Sequence, residues 1–247
     1  MRVALFSDVH GNSVAFDAFL ADLNEQRVDA VVCLGDHAQG GPQPAECLER
    51  LRDLECPAVM GNSDDFLLTL DPGDEPVTEA QLETARWSQA QLSKEQLDFH
   101  RSFQPTVELD LGGGRSLLAF HGTPRSRNEI VGPWMDEEAF REPFAAADAT
   151  VLAGGHTHQQ WARRLGDRYY VNPGSVGLAY DHHQTEESFR ADTYAEYALL
   201  TVDGPGVGVE FRRVPFDAGA VIAAIEASGM PHRELAVRFW RQRGTPT

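Results

Sequence analysis

The sequence predicts an α/β fold, and three observations carry that prediction. Apolar runs alternate with amphipathic stretches through the first third of the chain, a polar helical stretch follows, and apolar runs return in pairs after Pro105. Residues 2–7 read as a strand and 13–25 as an amphipathic helix, with Val14, Phe16, Phe19, Leu20 and Leu23 at its apolar positions. The run "DAVVCL", residues 29–34, is a second strand and ends at Gly35-Asp36. Pro44 opens a helix carrying Leu48, Leu51 and Leu54, and 58–60 is a short strand before Gly61-Asn62. Strand, helix, strand, helix, strand at this spacing is a βαβ series whose parallel strands are buried on both faces.

From about 63 to 104 the pattern is polar and helical, with "TEAQLETARWSQAQL" and "SKEQLDFHRSF" and no strand candidate. This reads as a helical insertion on the side of one domain spanning residues 1–247. Residues 106–111 and 115–120 form a hairpin around "GGG", and a helix over 136–146 leads to a strand at 149–153. A second hairpin (160–165, 168–171) reaches "NPGSVG"; 194–202 and 207–214 form a last strand pair, and 217–228 and 232–243 are helices.

The chain of 247 residues is 42% hydrophobic and 24% charged, ordinary for a soluble globular protein with a sizeable core. No apolar run is long enough for a bilayer, and the N-terminus lacks the apolar region of a signal peptide, so a cytoplasmic protein without a membrane partner is expected. Cys33, Cys47 and Cys56 are odd in number and without paired metal-finger spacing, which suits reduced thiols in packed positions. A net charge of −17 argues against a general nucleic-acid partner. An anionic substrate would then need a local source of positive charge.

Where the polar residues sit is more informative. Five predicted strands end in Asp8/His10, Asp36, Asn62, His121 and His156/His158, each beside a glycine. Strand ends sharing one edge are where α/β proteins build sites. Asp8 and His10, two apart on an extended backbone, would point the same way. Together the five ends offer two carboxylates, one amide and four imidazoles. Seven such ligands exceed one closed site but suit two adjacent cations bridged by a carboxylate.

The ordered series "DVH … GD … GN … HG … GHTH" resembles the calcineurin-like metallophosphoesterase superfamily, and "GGPQP" and "NPGSVG" resemble its small bacterial and archaeal phosphodiesterase-like branch. The resemblance implies the metallo-dependent phosphatase fold, a four-layer α/β/β/α sandwich of two mixed sheets with a dinuclear centre between the sheet edges. It implies that Asp8, His10 and His158 hold one metal, Asn62, His121 and His156 the other, and that Asp36 bridges them. The expected cofactors are two divalent ions among Mn, Fe, Zn, Ni and Co. The expected activity is hydrolysis of a small phosphoester, a phosphodiester by preference, by hydroxide held between the metals and without a covalent enzyme intermediate. Alternatives on the same fold are a phosphomonoesterase, acting on small molecules or proteins, and a non-catalytic interaction module; all seven ligand positions are filled here, which favours an enzyme.

Other residues are weighed singly. Arg125 and Arg127 follow "HGTP" and are candidates for substrate phosphate, against the alternative of a solvated loop. His37, directly after Asp36, is a candidate catalytic group beside Asp36, Asn62 and His121, positioned to approach a leaving group. Asn172 is read as shaping a turn, and His182 and His183 as exposed. The protein phosphatases of the resembled family place a histidine directly after the asparagine; this chain has Ser63, a poor proton donor near neutral pH.

Overall fold

β1 (Arg2–Phe6) is apolar after its first residue because both of its faces are covered. Val3 and Leu5 enter one core cluster while Ala4 and Phe6 enter another, as strand alternation requires. This is seen in a computed structural model that describes residues 1–73, 76–185, 188–204 and 206–241.

After β1 come α1 (Ser13–Asn24), β2 (Ala30–Cys33), α2 (Pro44–Asp53), α3 (Asn62–Thr69), α4 (Glu79–Ala90) and α5 (Lys94–Arg101). There follow β3 (Val107–Gly112), β4 (Arg115–Ala119), α6 (Glu137–Arg141), β5 (Val151–Ala153), β6 (Gln160–Leu165) and β7 (Arg168–Pro173). The chain closes with β8 (Tyr194–Asp203), β9 (Gly206–Pro215), α7 (Ala218–Ser228) and α8 (Arg233–Trp240).

The strands form two mixed sheets, in the orders β2-β1-β8-β9 and β3-β4-β5-β7-β6. β1 pairs parallel with β2 and antiparallel with β8, while β5 lies parallel between β4 and β7. The sheets face each other across Val3, Leu5, Val32, Leu117, Val151, Val171 and their neighbours. Beyond the first sheet, Ala4 and Phe6 pack against Phe16 and Phe19 of α1 and Leu48 and Leu51 of α2. Beyond the second, Leu152 and Tyr170 pack against Phe140 of α6 and Phe144. The layers therefore run helix, sheet, sheet, helix, the four-layer arrangement of the expected fold.

Two elements depart from the sequence reading. Residues 58–60 are no strand; Ala58 bridges Cys33 and Val59 bridges Gln104, one residue each. The helix expected over 136–146 shortens to α6 plus a 3₁₀ turn, Glu142–Phe144, because Pro143 has no amide hydrogen with which to continue an α-helix. Within the helical stretch, α5 docks on α2 through Gln96, whose amide donates to the Ala45 carbonyl at 3.1 Å. The three cysteines are free thiols, and burial pushes that of Cys56 up to about 12. Among the described residues no helix is long and apolar enough to cross a membrane.

Candidate metal centre

The loops after β1 and β2 are laced together before any side chain is considered. The amides of Asp8, His10 and Gly11 donate to the carbonyls of Gly35, Asp36 and His37 at 2.9, 3.1 and 2.9 Å. The backbone at these strand ends is not extended, contrary to the sequence expectation for Asp8 and His10. Asp8, His10, Asp36, His156 and His158 have φ between 49° and 69°, making up five of the eight non-glycine residues with positive φ among those described. Such residues each cost roughly 1 kcal/mol or more, and they persist only where the surroundings over-determine them. A tight left-handed turn, not alternation along a strand, turns Asp8 and His10 to the same point. Gly61 is required by close approach, since a Cβ there would sit on Asp36 Oδ1.

Three imidazoles are oriented in the same way. His10, His121 and His158 each present Nδ1 to a backbone carbonyl, of Gln39, Leu34 and Leu178, at 3.0, 2.7 and 2.7 Å. Donation from Nδ1 leaves Nε2 as the inward-facing lone pair, the arrangement that fixes a metal-ligating tautomer. The Nε2 atoms of His10 and His158 then face each other at 3.1 Å. Asp8 Oδ1 lies 3.2 Å from His158 Nε2 and 3.6 Å from His10 Nε2. It is buried without a hydrogen-bond partner, while Oδ2 accepts from the His156 amide at 3.1 Å. Asp36 Oδ2 lies 3.3 Å from His121 Nε2 and 3.8 Å from His10 Nε2, and Asn62 Oδ1 lies 3.0 Å from His121 Nε2. Facing ring nitrogens beside a buried, unpartnered carboxylate oxygen are an arrangement that a cation, taking the place of ring protons, completes.

Two groups of possible ligands result, Asp8/His10/His158 and Asp8/Asp36/His121, each with its ligand atoms within 4.8 Å of one another. Asp8 is common to both, and Asp36 reaches a histidine of each. Asn62 adjoins the second group. His156 packs its ring edge-on to His121 at 5.1 Å, with Nε2 3.2 Å from the Asn128 carbonyl, so Nδ1 is the nitrogen it has free. The electrostatics follow from burial and pairing. Burial opposes ionisation of Asp8, yet His158 and His10 outweigh it and hold the carboxyl well below its ordinary range. Burial likewise disfavours the charged form of His121, but Asp36 overrides it and raises the ring to about 10. His156 is pushed down to about 4, first by burial and then by the charge of His121.

Other residues support the ligands: Asn172 shapes the turn expected of it, while the roles of Asp64, Ser63 and Ser175 are not evident in the sequence. Asp64 is fully buried: Oδ2 accepts from the amides of Asp36 and Gly61 at 2.7 and 3.0 Å, and Oδ1 from the His37 amide at 2.9 Å, with His100 Nε2 at 2.8 Å. The signal was an acid three residues after Gly61, where it can take the free amides at the start of α3. Ser63 donates to Asp36 from both amide and hydroxyl, each at 2.8 Å. Ser175 Oγ donates to the Asp8 carbonyl at 2.7 Å, and Asn172, fully buried, holds the Gly155 carbonyl at 2.6 Å and receives the Gly174 amide.

Three expectations change. His37 does not face the cleft: its Nε2 lies 2.9 Å from the Cys47 carbonyl, its ring packs edge-on to Phe16, and burial lowers it to about 4. Arg125 and Arg127 do line a polar cleft of about 770 Å³ with Asn62, Ser63 and Asn128, but neither is a spare cation. Arg125 is forked onto Glu129 and Glu142, and Arg127 pairs with Asp65 at 2.7 Å. His182 is half-buried and stacked on Tyr180, 4.4 Å between centroids, while His183 is exposed beside Asp181.

Comparison with known proteins shows the family. Residues 1–203 match the calcineurin-like phosphoesterase superfamily domain. An uncharacterized protein of Methanocaldococcus jannaschii is 27% identical over 247 aligned residues, covering 93% of each chain. Phosphodiesterase YfcE of Escherichia coli is 26% identical, covering 72% of this chain and 80% of its own. The crystal structure of a metallophosphoesterase from Sphaerobacter thermophilus superposes with a TM-score of 0.74 at 26% identity, covering 98% of this chain and 99% of that one.

Proposed function

Because the chain belongs to the calcineurin-like phosphoesterase superfamily, we propose that it hydrolyses phosphoester bonds with two divalent cations and prefers phosphodiesters. The observation that carries this reading is the buried donor cluster: three imidazoles with Nε2 turned inward around the unpartnered Asp8 Oδ1. Asp8, His10 and His158 are assigned to one cation, and Asn62, His121 and His156 to the other. Asp36 is assigned to both, supported by its reach to His121 and His10. N and O donors of this kind suit Mn, Fe, Zn, Ni or Co. Cations in such a site supply a water of lowered pKa and positive charge for the phosphoryl oxygens. Two dications, less the charges of Asp8 and Asp36, leave the site locally positive inside a chain of net charge −17.

The chain's own groups position and screen. Ser63 and the amides held by Asp64 fix Asp36, and the left-handed turns hold Asp8, His10 and His158. Arg125 and Arg127 are assigned to the polar arm of the substrate, each exchanging a carboxylate partner for it. Protonation of the departing oxygen has no evident donor. The Ser63 hydroxyl is committed to Asp36, His37 lies in the core, and among the described residues His121 is the one imidazole lining the polar cleft.

Leaving-group stability should therefore govern the rate. Protein loaded with Mn, Fe, Zn, Ni or Co in turn would be assayed on bis(p-nitrophenyl) phosphate, p-nitrophenyl phosphate and alkyl esters of graded leaving-group pKa. Metal-dependent cleavage, faster for the diester and steeply dependent on the leaving group, is expected. No hydrolysis of any ester by folded, metal-loaded protein would overturn the reading; a faster monoester would reverse the preference.

A further inference from the structure

A second cleft, about 580 Å³, opens on the other side of the donor cluster and differs in character from the first. Its far wall is the α7–α8 hairpin. Val221 and Ile225, one helical turn apart on α7, and Leu235, Ala236 and Phe239 on one face of α8 line it with Met230 between the helices. Its near wall is the candidate site itself, through His10 and Ser63. Gln39, Ser63 and Gln81 line both clefts, so the polar and apolar grooves meet beside His10, whose ring contacts the Gln39 carbonyl, and beside Asn62. Leu235 is 49% exposed on the rim, a large aliphatic group that no other element covers fully.

A groove that begins at a phosphate-hydrolysing centre and is walled by aliphatic side chains is complementary to the alcohol of a phosphoester, when that alcohol is apolar. A diester has two arms, and this centre has two unlike grooves. We infer that the substrate is an amphipathic phosphodiester, with one polar or charged arm along Arg125 and Arg127 and one aliphatic or aromatic arm against α7 and α8. The inference rests on the phosphoesterase reading and specifies its substrate class. The groove's continuity with His10 and Ser63 singles out this occupant, because an apolar arm esterified to a phosphate at the metals finds a continuous aliphatic wall there, whereas the first cleft sets Met60, Phe66 and Val77 among Asp65, Asp71 and the two arginines.

The probes are O-alkyl methylphosphonates of increasing chain length, which mimic a diester and whose alkoxide is too poor a leaving group to be lost during a titration, measured calorimetrically with the metal-loaded protein. Each added methylene should tighten binding about fourfold over the first several carbons, as expected for burying a CH₂, with a plateau once the groove is full. The heat-capacity change should grow more negative with chain length. Leu235→Glu, at a rim position that tolerates a charge, should flatten the series, and Ala236→Glu should do the same if it folds. The corresponding p-nitrophenyl alkyl phosphates, followed by hydrolysis, separate two failures. Cleavage and short-chain binding with no chain-length dependence would overturn the apolar arm and leave the phosphoesterase reading standing. Absence of both cleavage and phosphonate binding would overturn the phosphoesterase reading itself. Light scattering closes the remaining route: a dimer of wild-type protein that Leu235→Glu dissociates would assign the groove to a second copy and overturn the inference.

Discussion

Replacing Asp64 by Asn tests whether the metal-facing loops are held in place by a residue that faces no metal. The exchange keeps shape and removes charge. Asp64 Oδ2 serves the amides of Asp36 and Gly61, and Oδ1 serves the His37 amide and His100. The amide oxygen of asparagine can satisfy only one of these pairs; its NH₂ then confronts the N–H donors of the other. His100 can shift its proton to Nδ1, which is buried without a partner, and accept from the new amide. The backbone donor on that side has no such recourse. One or two hydrogen bonds to a charged acceptor are lost, at about 1.5–3 kcal/mol each, so a destabilisation of about 3 kcal/mol is expected. The assay is urea unfolding of metal-free protein near pH 7, where a slope of about 2–3 kcal/mol/M converts that loss into a midpoint shift of about 1 M. Metal affinity should also fall at least tenfold, as is usual when a group supporting a ligand is removed. A midpoint within about 0.2 M of wild type, with unchanged metal affinity, would refute the claim that Asp64 supports the site.

Asp36→Asn is expected to lower both metal content and hydrolysis by about a hundredfold or more, because it removes charge from the group reaching both sets of ligands. His37→Ala should instead destabilise the fold through a core cavity while the folded fraction keeps its turnover; elemental analysis with rates per folded protein separates them, and equal losses of turnover would contradict the placement of His37. Glu196 tests the opposite end of the electrostatics, since burial raises it to about 7 despite its ion pair with Arg213 at 3.0 Å. A carboxyl raised on folding favours the fold fully below its unfolded pKa, and that contribution is lost as pH climbs through about 7. Glu196→Gln should match wild type near pH 5 and exceed it above pH 7.5, by at most about 3 kcal/mol, in denaturant melts at the two pH values.

The candidate ligands were legible because each combines three cues: an apolar run that stops, a glycine beside the stop, and a donor side chain. His121, after the strand "SLLAF", and Asp36, after "VVCLG", show all three. What periodicity cannot supply is the partner of each strand. The ligand-bearing ends were read as one shared edge, whereas β1 and β2 belong to one sheet and β4 and β5 to the other. The direction of a loop side chain was equally hidden. His37 and His10 look alike in sequence, each in a polar loop after a strand, yet one ring packs against Phe16 and the other against His158. Asp64 was obscured by its neighbour, because "SDD" at a helix start reads as solvated first-turn acids; Asp65 is one, pairing Arg127 at the cleft, and Asp64 is completely enclosed.

The left-handed turns connect these points. Glycine would adopt φ near +55° without strain at positions 8, 10, 36 and 158, but glycine carries no ligand atom. Aspartate and histidine are among the few side chains tolerated in that region, so the chemistry of ligation and of the turn select overlapping residue types. Each such turn still requires neighbours that remove the extended alternatives, and they are present: the Gly35, Asp36 and His37 carbonyls receive the first loop, and Asp64 gathers the second. Backbone hydrogen bonds and buried carboxylates hold the ligand atoms of each group within 4.8 Å of one another. The residues that close each turn are therefore as much a part of the site as the ligands, and changing them should weaken metal binding without removing a donor.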